Sequence, residues 1–375
     1  MTEQEPHIFP DDHHEVLKSI RSSRIILPVL IGIAVVSYLL YKQFDPRAFA
    51  QINWNIHTLF WLSLAVIILV IKHLSYATRL YILSRGEFSF LKCIELIFIW
   101  EFSSAVSPTA IGGSAVALFV LSQEKLKAAR VAAIVLYTIV LDTAYFVVSL
   151  PLLLLIIGPA MIRADLTNLS TLDGWAYTFI LTYIFMGLYG LFFYYGLFVR
   201  PEHSKWLLSK ATTFGFLKRY HQKAIKLGED FVVASQELKT QSRKFHLRAF
   251  LMTALAWSMR FALIMALIYG LIDSVKMDPA NVLKLYARLE SMFVIMLFSP
   301  TPGGAGFAEF VFGGFLIDFV PTGVSLIVAF LWRLLAYYSY LLAGVIVVPN
   351  WIRKVINARK AARLALENQS LPDKE

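Results

Sequence analysis

Phe298 to Glu309 reads F-S-P-T-P-G-G-A-G-F-A-E: two prolines, three glycines and a carboxylate inside a long apolar region. Pro300 and Pro302 have no amide proton for a helical hydrogen bond, and each disfavours helical angles at the residue before it. Gly303, Gly304 and Gly306 permit dihedrals and close approaches that a side chain forbids. A helix is therefore expected to break at about Ser299 and another to start near Gly306. Broken backbone at membrane depth is tolerated only where it is buried in protein or lines a polar cavity. Function is sought there first.

The surroundings of this stretch belong to a membrane protein. Apolar residues make up 58% of the chain and charged residues 16%, and the apolar residues come in long runs from Ile25 to Val348 that a globular core does not require. Runs in place of alternation exclude a membrane β-barrel. Cys93 is the only cysteine, which excludes a disulfide framework and any cysteine-based metal site. No Walker loop, H-E-x-x-H or zinc spacing occurs, so neither metal nor cofactor is expected. The net charge of +10 sits between the apolar runs, as charge retained on the cytoplasmic side does, and is not read as a nucleic-acid surface.

The expected fold is all-α, a polytopic helical membrane protein with two broken, re-entrant helix pairs in an inverted-topology repeat. Residues 1–24 read as a cytoplasmic tail without a signal peptide, in which Asp11-Asp12-His13-His14 is solvated and not a metal site. A single membrane domain covers 25–349, with a basic cytoplasmic loop at 200–248, and 350–375 is a basic cytoplasmic tail. Full spans are expected at Ile25–Tyr41, Trp54–Leu83, Ala128–Ile157, Trp175–Val199, Ala249–Ile272 and Val324–Val348, in a cytoplasmic (inner) membrane. Lys72, His73 and Arg79 are expected to snorkel from the end of their span to the interface, the alternative being contact with lipid phosphates. The loop mixes Lys and Arg with Trp206, Phe214, Phe216, Leu217, Ile225 and Phe231, the pattern of amphipathic helices lying on an anionic lipid surface.

The apolar stretch Leu91–Leu121 is interrupted by Ser107-Pro108-Thr109-Ala110-Ile111-Gly112-Gly113. It resembles the later break, Ser299-Pro300-Thr301 followed by Gly303-Gly304, and each break has a span before it and a span after it. The first opens from the cytoplasmic side and the second from the other side. The repeat halves are therefore about 54–157 and 249–348. Paired interrupted segments in corresponding places point to a transport site near the midplane.

The segment S-P-T-P-G-G-A-G-F-A-E resembles the P-G-G-x-G-x-x-E signature of the flippase-like membrane domain of lysylphosphatidylglycerol synthases and its stand-alone relatives. P-T-A-I-G-G resembles that family's first proline–glycine break, and the similarity covers roughly Ile25 to Val348. The resemblance implies a domain that translocates phospholipid, with the glycine loop and its following carboxylate at Pro302, Gly303, Gly304, Gly306 and Glu309. The bifunctional synthases continue into a cytosolic aminoacyl-transferase domain, whereas this chain stops soon after its last span, so lysyl transfer is not expected.

A half-helix starting near Gly306 would aim unpaired amides and a positive dipole end at the break, which favours a lipid phosphate. Pro108, Gly112 and Gly113 would offer the same arrangement from the other face, and Arg260 is a further candidate phosphate ligand. Glu309 would hold a cationic headgroup or carry a coupling proton. Asp142 and Arg333 stand at nearly equal distances after Pro108 and Pro300, so they are read as a charge pair, static or gating. The leading function is a lipid flippase or transporter, not an enzyme, whose partners are membrane phospholipids. The alternatives are an intramembrane lipid-modifying transferase, using Glu101 or Glu309 as acid or base, and a non-transporting scaffold. A homo-oligomer is compatible with the sequence, which does not fix the oligomeric state.

Overall fold

The computed structural model of the chain describes residues 50, 54–106, 110–124, 126–163, 166, 174–213, 215–296, 311–312 and 314–369. The first expected span and the break at 298–309, with Pro302, Gly303, Gly304, Gly306 and Glu309, lie outside the described residues, as does Pro108. Among the described residues the structure is helical, without a strand. Among the described residues five helices are long and apolar enough to cross a membrane: Ile56–Leu83, Ala128–Ile157, Gly174–Val199, Arg243–Leu271 and Ile327–Ala358.

Helix α1 (Ile56–Leu83) starts where Asn55 Oδ1 accepts from the Thr58 amide at 2.8 Å, an N-cap for one of the orphan donors of the first turn. It ends at Ser84, beyond which Gly86 takes a positive φ of 73° and turns the chain back. Helices α2 (Phe90–Val106) and α3 (Ala110–Ser122) follow as a packed pair. They have 17 and 13 residues, roughly 26 and 20 Å at 1.5 Å per residue, both short of a ~30 Å hydrocarbon core. The pair returns to the end it began from: Lys92 near the start of α2 meets Glu124 beyond the end of α3 at 2.7 Å.

Helix α4 (Ala128–Ile157) carries Pro151, which cannot donate to the carbonyl of Val147. That carbonyl accepts instead from the Tyr183 hydroxyl of α5 (Gly174–Tyr194) at 3.3 Å. A π-helical turn, Tyr195–Val199, extends α5. The basic loop then forms α6 (Pro201–Ala211) and α7 (His221–Lys239). Contrary to the expectation of a helix resting on lipid, α7 turns its apolar face to protein. Phe231 is fully buried against Phe192 and Phe193 at ring distances of 5.6 and 5.4 Å. Amphipathicity specifies a face to be covered, and here α4 and the end of α5 supply the cover.

Helix α8 (Arg243–Leu271), capped by Ser242, runs antiparallel to α1 and packs along it. Gly270 of α8 sits against Trp61 near the start of α1, while Thr253 of α8 meets Arg79 near its end. Helix α9 (Pro279–Met296) then starts at the end of the bundle opposite the basic loop. Its far-end contacts mirror those of the first pair: Lys284 and Arg288 of α9 both meet Asp318, at 3.3 and 2.6 Å. The chain closes with α10 (Thr322–Arg333), a π-helical turn at Leu334–Tyr338, and α11 (Ser339–Gln369).

Candidate functional site

Four helices bring charge into the interior, α1 and α8 with cations and α2 and α4 with carboxylates. On α1, Lys72, Tyr76 and Arg79 follow the i, i+4, i+7 spacing of one helix face. On α8, Thr253, Trp257 and Arg260 repeat it. These two faces meet: Arg79 donates to Thr253 Oγ1 at 3.2 Å, and Arg260 to the Tyr76 hydroxyl at 3.4 Å. Lys72 lies eleven residues inside α1 from Leu83, roughly 16 Å, which is near the middle of a hydrocarbon core. The snorkelling expectation fails here. Lys72, His73 and Arg79 are 1%, 7% and 6% exposed, because α8 and the segment carrying Tyr340 cover that face.

Two carboxylates answer the cations. Glu101, near the inner end of α2, stands 3.7 Å from both Lys72 and Arg260. Asp142 of α4 accepts from Arg79 at 2.6 Å and from Trp257 Nε1 at 3.1 Å. Aromatic faces complete the cationic surroundings: Lys72 lies over Tyr340 at 4.7 Å, Arg79 over Tyr76 at 4.8 Å and Arg260 over Trp257 at 4.7 Å. His73 shares a 3.2 Å hydrogen bond with the Tyr340 hydroxyl and stacks on Phe98.

The expected Asp142–Arg333 pair is not formed; Asp142 is held by Arg79 and Trp257. Equal spacing after two prolines compares depth along the chain, whereas pairing depends on which helix faces pack, and α1 brings a different cation to Asp142. Arg333 is itself buried, 3% exposed, with its guanidinium 5.6 Å from the Tyr337 ring. The π-helical turn after Arg333 matters to the first break. Tyr337 donates its hydroxyl proton to the Ala105 carbonyl at 3.1 Å, satisfying one of the orphan acceptors where α2 ends. Gly112 and Gly113 fall in the first turn of α3, just beyond that break.

The cluster lies deep in the bundle, yet the side chains of Glu101, Arg260 and Asp142 are 23%, 24% and 31% exposed. These three are the partly exposed members of the cluster. Arg260 Nε is buried without a hydrogen-bond partner among the described residues, and both of its contacts to oxygen exceed 3.3 Å. Of these groups the sequence singles out Arg260 and Asp142 as site residues, offers Glu101 as an acid or base and Lys72 and Arg79 as cations at the interface or on lipid phosphates, and does not point to Tyr76, Trp257 or Tyr340. The i, i+4, i+7 pattern on α1 was the available signal.

Residues 25–344 match the model of the family described as the lysylphosphatidylglycerol synthase TM region. A relative from Archaeoglobus fulgidus, described as a UPF0104 membrane protein, is 28% identical over 341 residues, covering 86% of this chain and 95% of its own. No solved structure matches.

Proposed function

Since the chain belongs to the lysylphosphatidylglycerol synthase TM-region family, a family of membrane proteins, we propose that it translocates phospholipids and that the buried cation cluster receives the lipid phosphate. One observation carries this reading. Among the described residues, Lys72, Arg79 and Arg260 outnumber Glu101 and Asp142, three cations to two carboxylates, in a partly exposed cluster near membrane mid-depth. Unbalanced charge inside a membrane is costly and marks a pathway when a mobile counter-charge passes through it. A phosphodiester supplies the missing negative charge, and Arg260 presents a planar guanidinium with donors to spare.

In this reading the two broken pairs are the arms of an inverted repeat, and the half-helix ends beside them extend the phosphate path. The carry-over of Pro302, Gly303, Gly304, Gly306, Glu309, Pro108, Gly112 and Gly113 as binding residues belongs to the same proposal. So does membrane contact by the basic loop, where α6 leaves Trp206 and Leu207 half exposed between Lys205 and Lys210.

The test is reconstitution in vesicles with head-labelled phospholipids of anionic and zwitterionic type. Wild type is expected to move lipid between leaflets faster than protein-free vesicles. Arg260→Gln is expected to slow it by roughly tenfold or more, as loss of a charge-assisted hydrogen bond of about 1.5–3 kcal/mol would. Lipid recovered chemically altered would overturn the proposal in favour of a transferase, and no movement above background would overturn it outright.

A further inference from the structure

Glu290 of α9 stands apart from the cation cluster. It is fully buried, and no basic side chain reaches it among the described residues; Arg288 on the same helix turns to Asp318 and to the carbonyls of Ala160 and Phe315. Its surroundings are hydroxyls. Ser149 Oγ of α4 makes a short hydrogen bond to Glu290 Oε1, and one turn away Tyr145 and Tyr286 join their hydroxyls at 2.5 Å. Ser258 of α8 bonds to the Tyr286 hydroxyl at 3.0 Å, and Tyr183 is the titratable group that α5 brings to this side. The turn Pro159–Met161, also packed on α9, brings no titratable side chain. Glu290 Oε2 is buried with no hydrogen-bond partner among the described residues.

Proton counting favours a protonated carboxyl here. Ser149 has one hydroxyl proton but two oxygen neighbours, the Tyr145 carbonyl at 2.7 Å and Glu290 Oε1. If that proton goes to the carbonyl, as in a Ser bonded one turn back, the contact with Glu290 lacks a hydrogen unless the carboxyl supplies it. A protonated Glu290 donates to Ser149 Oγ, Ser149 donates to Tyr145 O, and both contacts are satisfied. An ionised Glu290 would instead be a buried charge with no cation to balance it.

We propose that Glu290 is a proton-binding site of the translocation cycle, carrying its proton in the conformation seen and releasing it to water when α9 moves. The proposal rests on the translocase reading for the cycle, though not for the protonation itself. Helix α9 is the first arm of the second broken pair, so rocking of that arm against α4 and α8 would separate Glu290 from Ser149 and wet it. Release from one face and uptake from the other would then tie proton movement to lipid movement.

Infrared difference spectroscopy on the purified protein tests the protonation without needing transport. At neutral pH the wild type is expected to show the carbonyl stretch of a protonated carboxyl, shifted in heavy water and lost in Glu290→Gln. Absence of that band difference overturns the proposal. So does sodium-dependent thermal stabilisation of wild type that Glu290→Gln abolishes, since the site would then be a metal-ion site. For coupling, lipid movement is followed in vesicles with and without an imposed pH gradient. The gradient is expected to accelerate wild type, and Glu290→Gln is expected to keep the gradient-free rate and lose the acceleration. Equal response of both proteins refutes coupling, whereas absence of any lipid movement, with the infrared band present, refutes the translocase reading and the cycle role together while leaving the proton-binding site standing.

Discussion

Replacing Asp142 with Asn removes one charge from the network and keeps its shape. The partner left behind is Arg79, whose side chain is 7% exposed and whose other described oxygen partner is Thr253. Stripping a buried cation of its carboxylate costs about 3–5 kcal/mol, and the lower end applies because the Asn oxygen still accepts from Trp257 and Arg79. The reverse change, Arg79→Gln, leaves Asp142 31% exposed with the Trp257 donor in place, so it is expected to cost less, about 1–2 kcal/mol. The pair is thus asymmetric, and the double mutant is expected to recover about 1–3 kcal/mol against the sum of the singles. Reversible unfolding in mixed micelles measures all four corners of the cycle. Arg333→Gln with Asp142→Asn is the control, expected to add within about 0.5 kcal/mol because Asp142 contacts Arg79 and not Arg333. Additivity for 79/142, or strong coupling for 142/333, would refute the assignment of Asp142 to Arg79.

Two further outcomes follow from packing and from burial. A Cβ at Gly344 of α11 would run into the ring and Cβ of Phe102 on α2, so Gly344→Ala is expected to destabilise by about 1–3 kcal/mol, read as a lower unfolding midpoint. Burial raises the Asp230 carboxyl of α7 from 3.8 to about 6, with Lys226 opposing the shift. A folded-state value above the unfolded one means the native state holds the proton more tightly. Its favourable contribution is full below the unfolded value and is lost as pH rises through about 6. Asp230→Asn is therefore expected to stabilise the protein above that pH and to flatten the pH dependence of unfolding between pH 4 and 6; an unchanged profile would show that Asp230 ionises freely.

What the sequence made legible depends on the physics of each signal. Long apolar runs announce spans because the bilayer fixes their length, and Pro108 with Gly112 and Gly113 announced the α2–α3 break because backbone chemistry is local. Helix rotation is not local. Lys72 and Arg79 near the end of an apolar run read as interfacial until α8 is packed on that face, and Phe231 read as lipid-facing until α4 and α5 covered it. Asp142 and Arg333 were matched by distance along the chain, which says nothing of the azimuth at which each side chain leaves its helix. The polar spacing of 72, 76 and 79 carried that azimuth, and the matching 253, 257 and 260 on α8 would have paired the two faces.

The two ends of the bundle also differ in what closes them. At the basic end, Lys92 is shared between Glu95 at 3.0 Å and Glu124 at 2.7 Å, while Lys354 of α11, 67% exposed, also reaches Glu95. The Lys354 pair is solvated and contributes about 0–1 kcal/mol, whereas Lys92, Glu95 and Glu124 are only 23%, 19% and 15% exposed and hold more firmly. At the other end, Arg288 is fully buried and bonded to Asp318 and to the carbonyls of Ala160 and Phe315, tying α9 to the turn after α4 and to the segment before α10. Separating that guanidinium from its acceptors without replacement costs several kcal/mol. The far end in this conformation hangs on one fully buried guanidinium, whereas the basic end divides its closure among several partly buried pairs, Arg130 with Glu87 and Glu237 and Arg85 with Glu237 among them. Removing one carboxylate is therefore expected to loosen the far end, at Asp318, more than the basic end, where Lys92 keeps a second one.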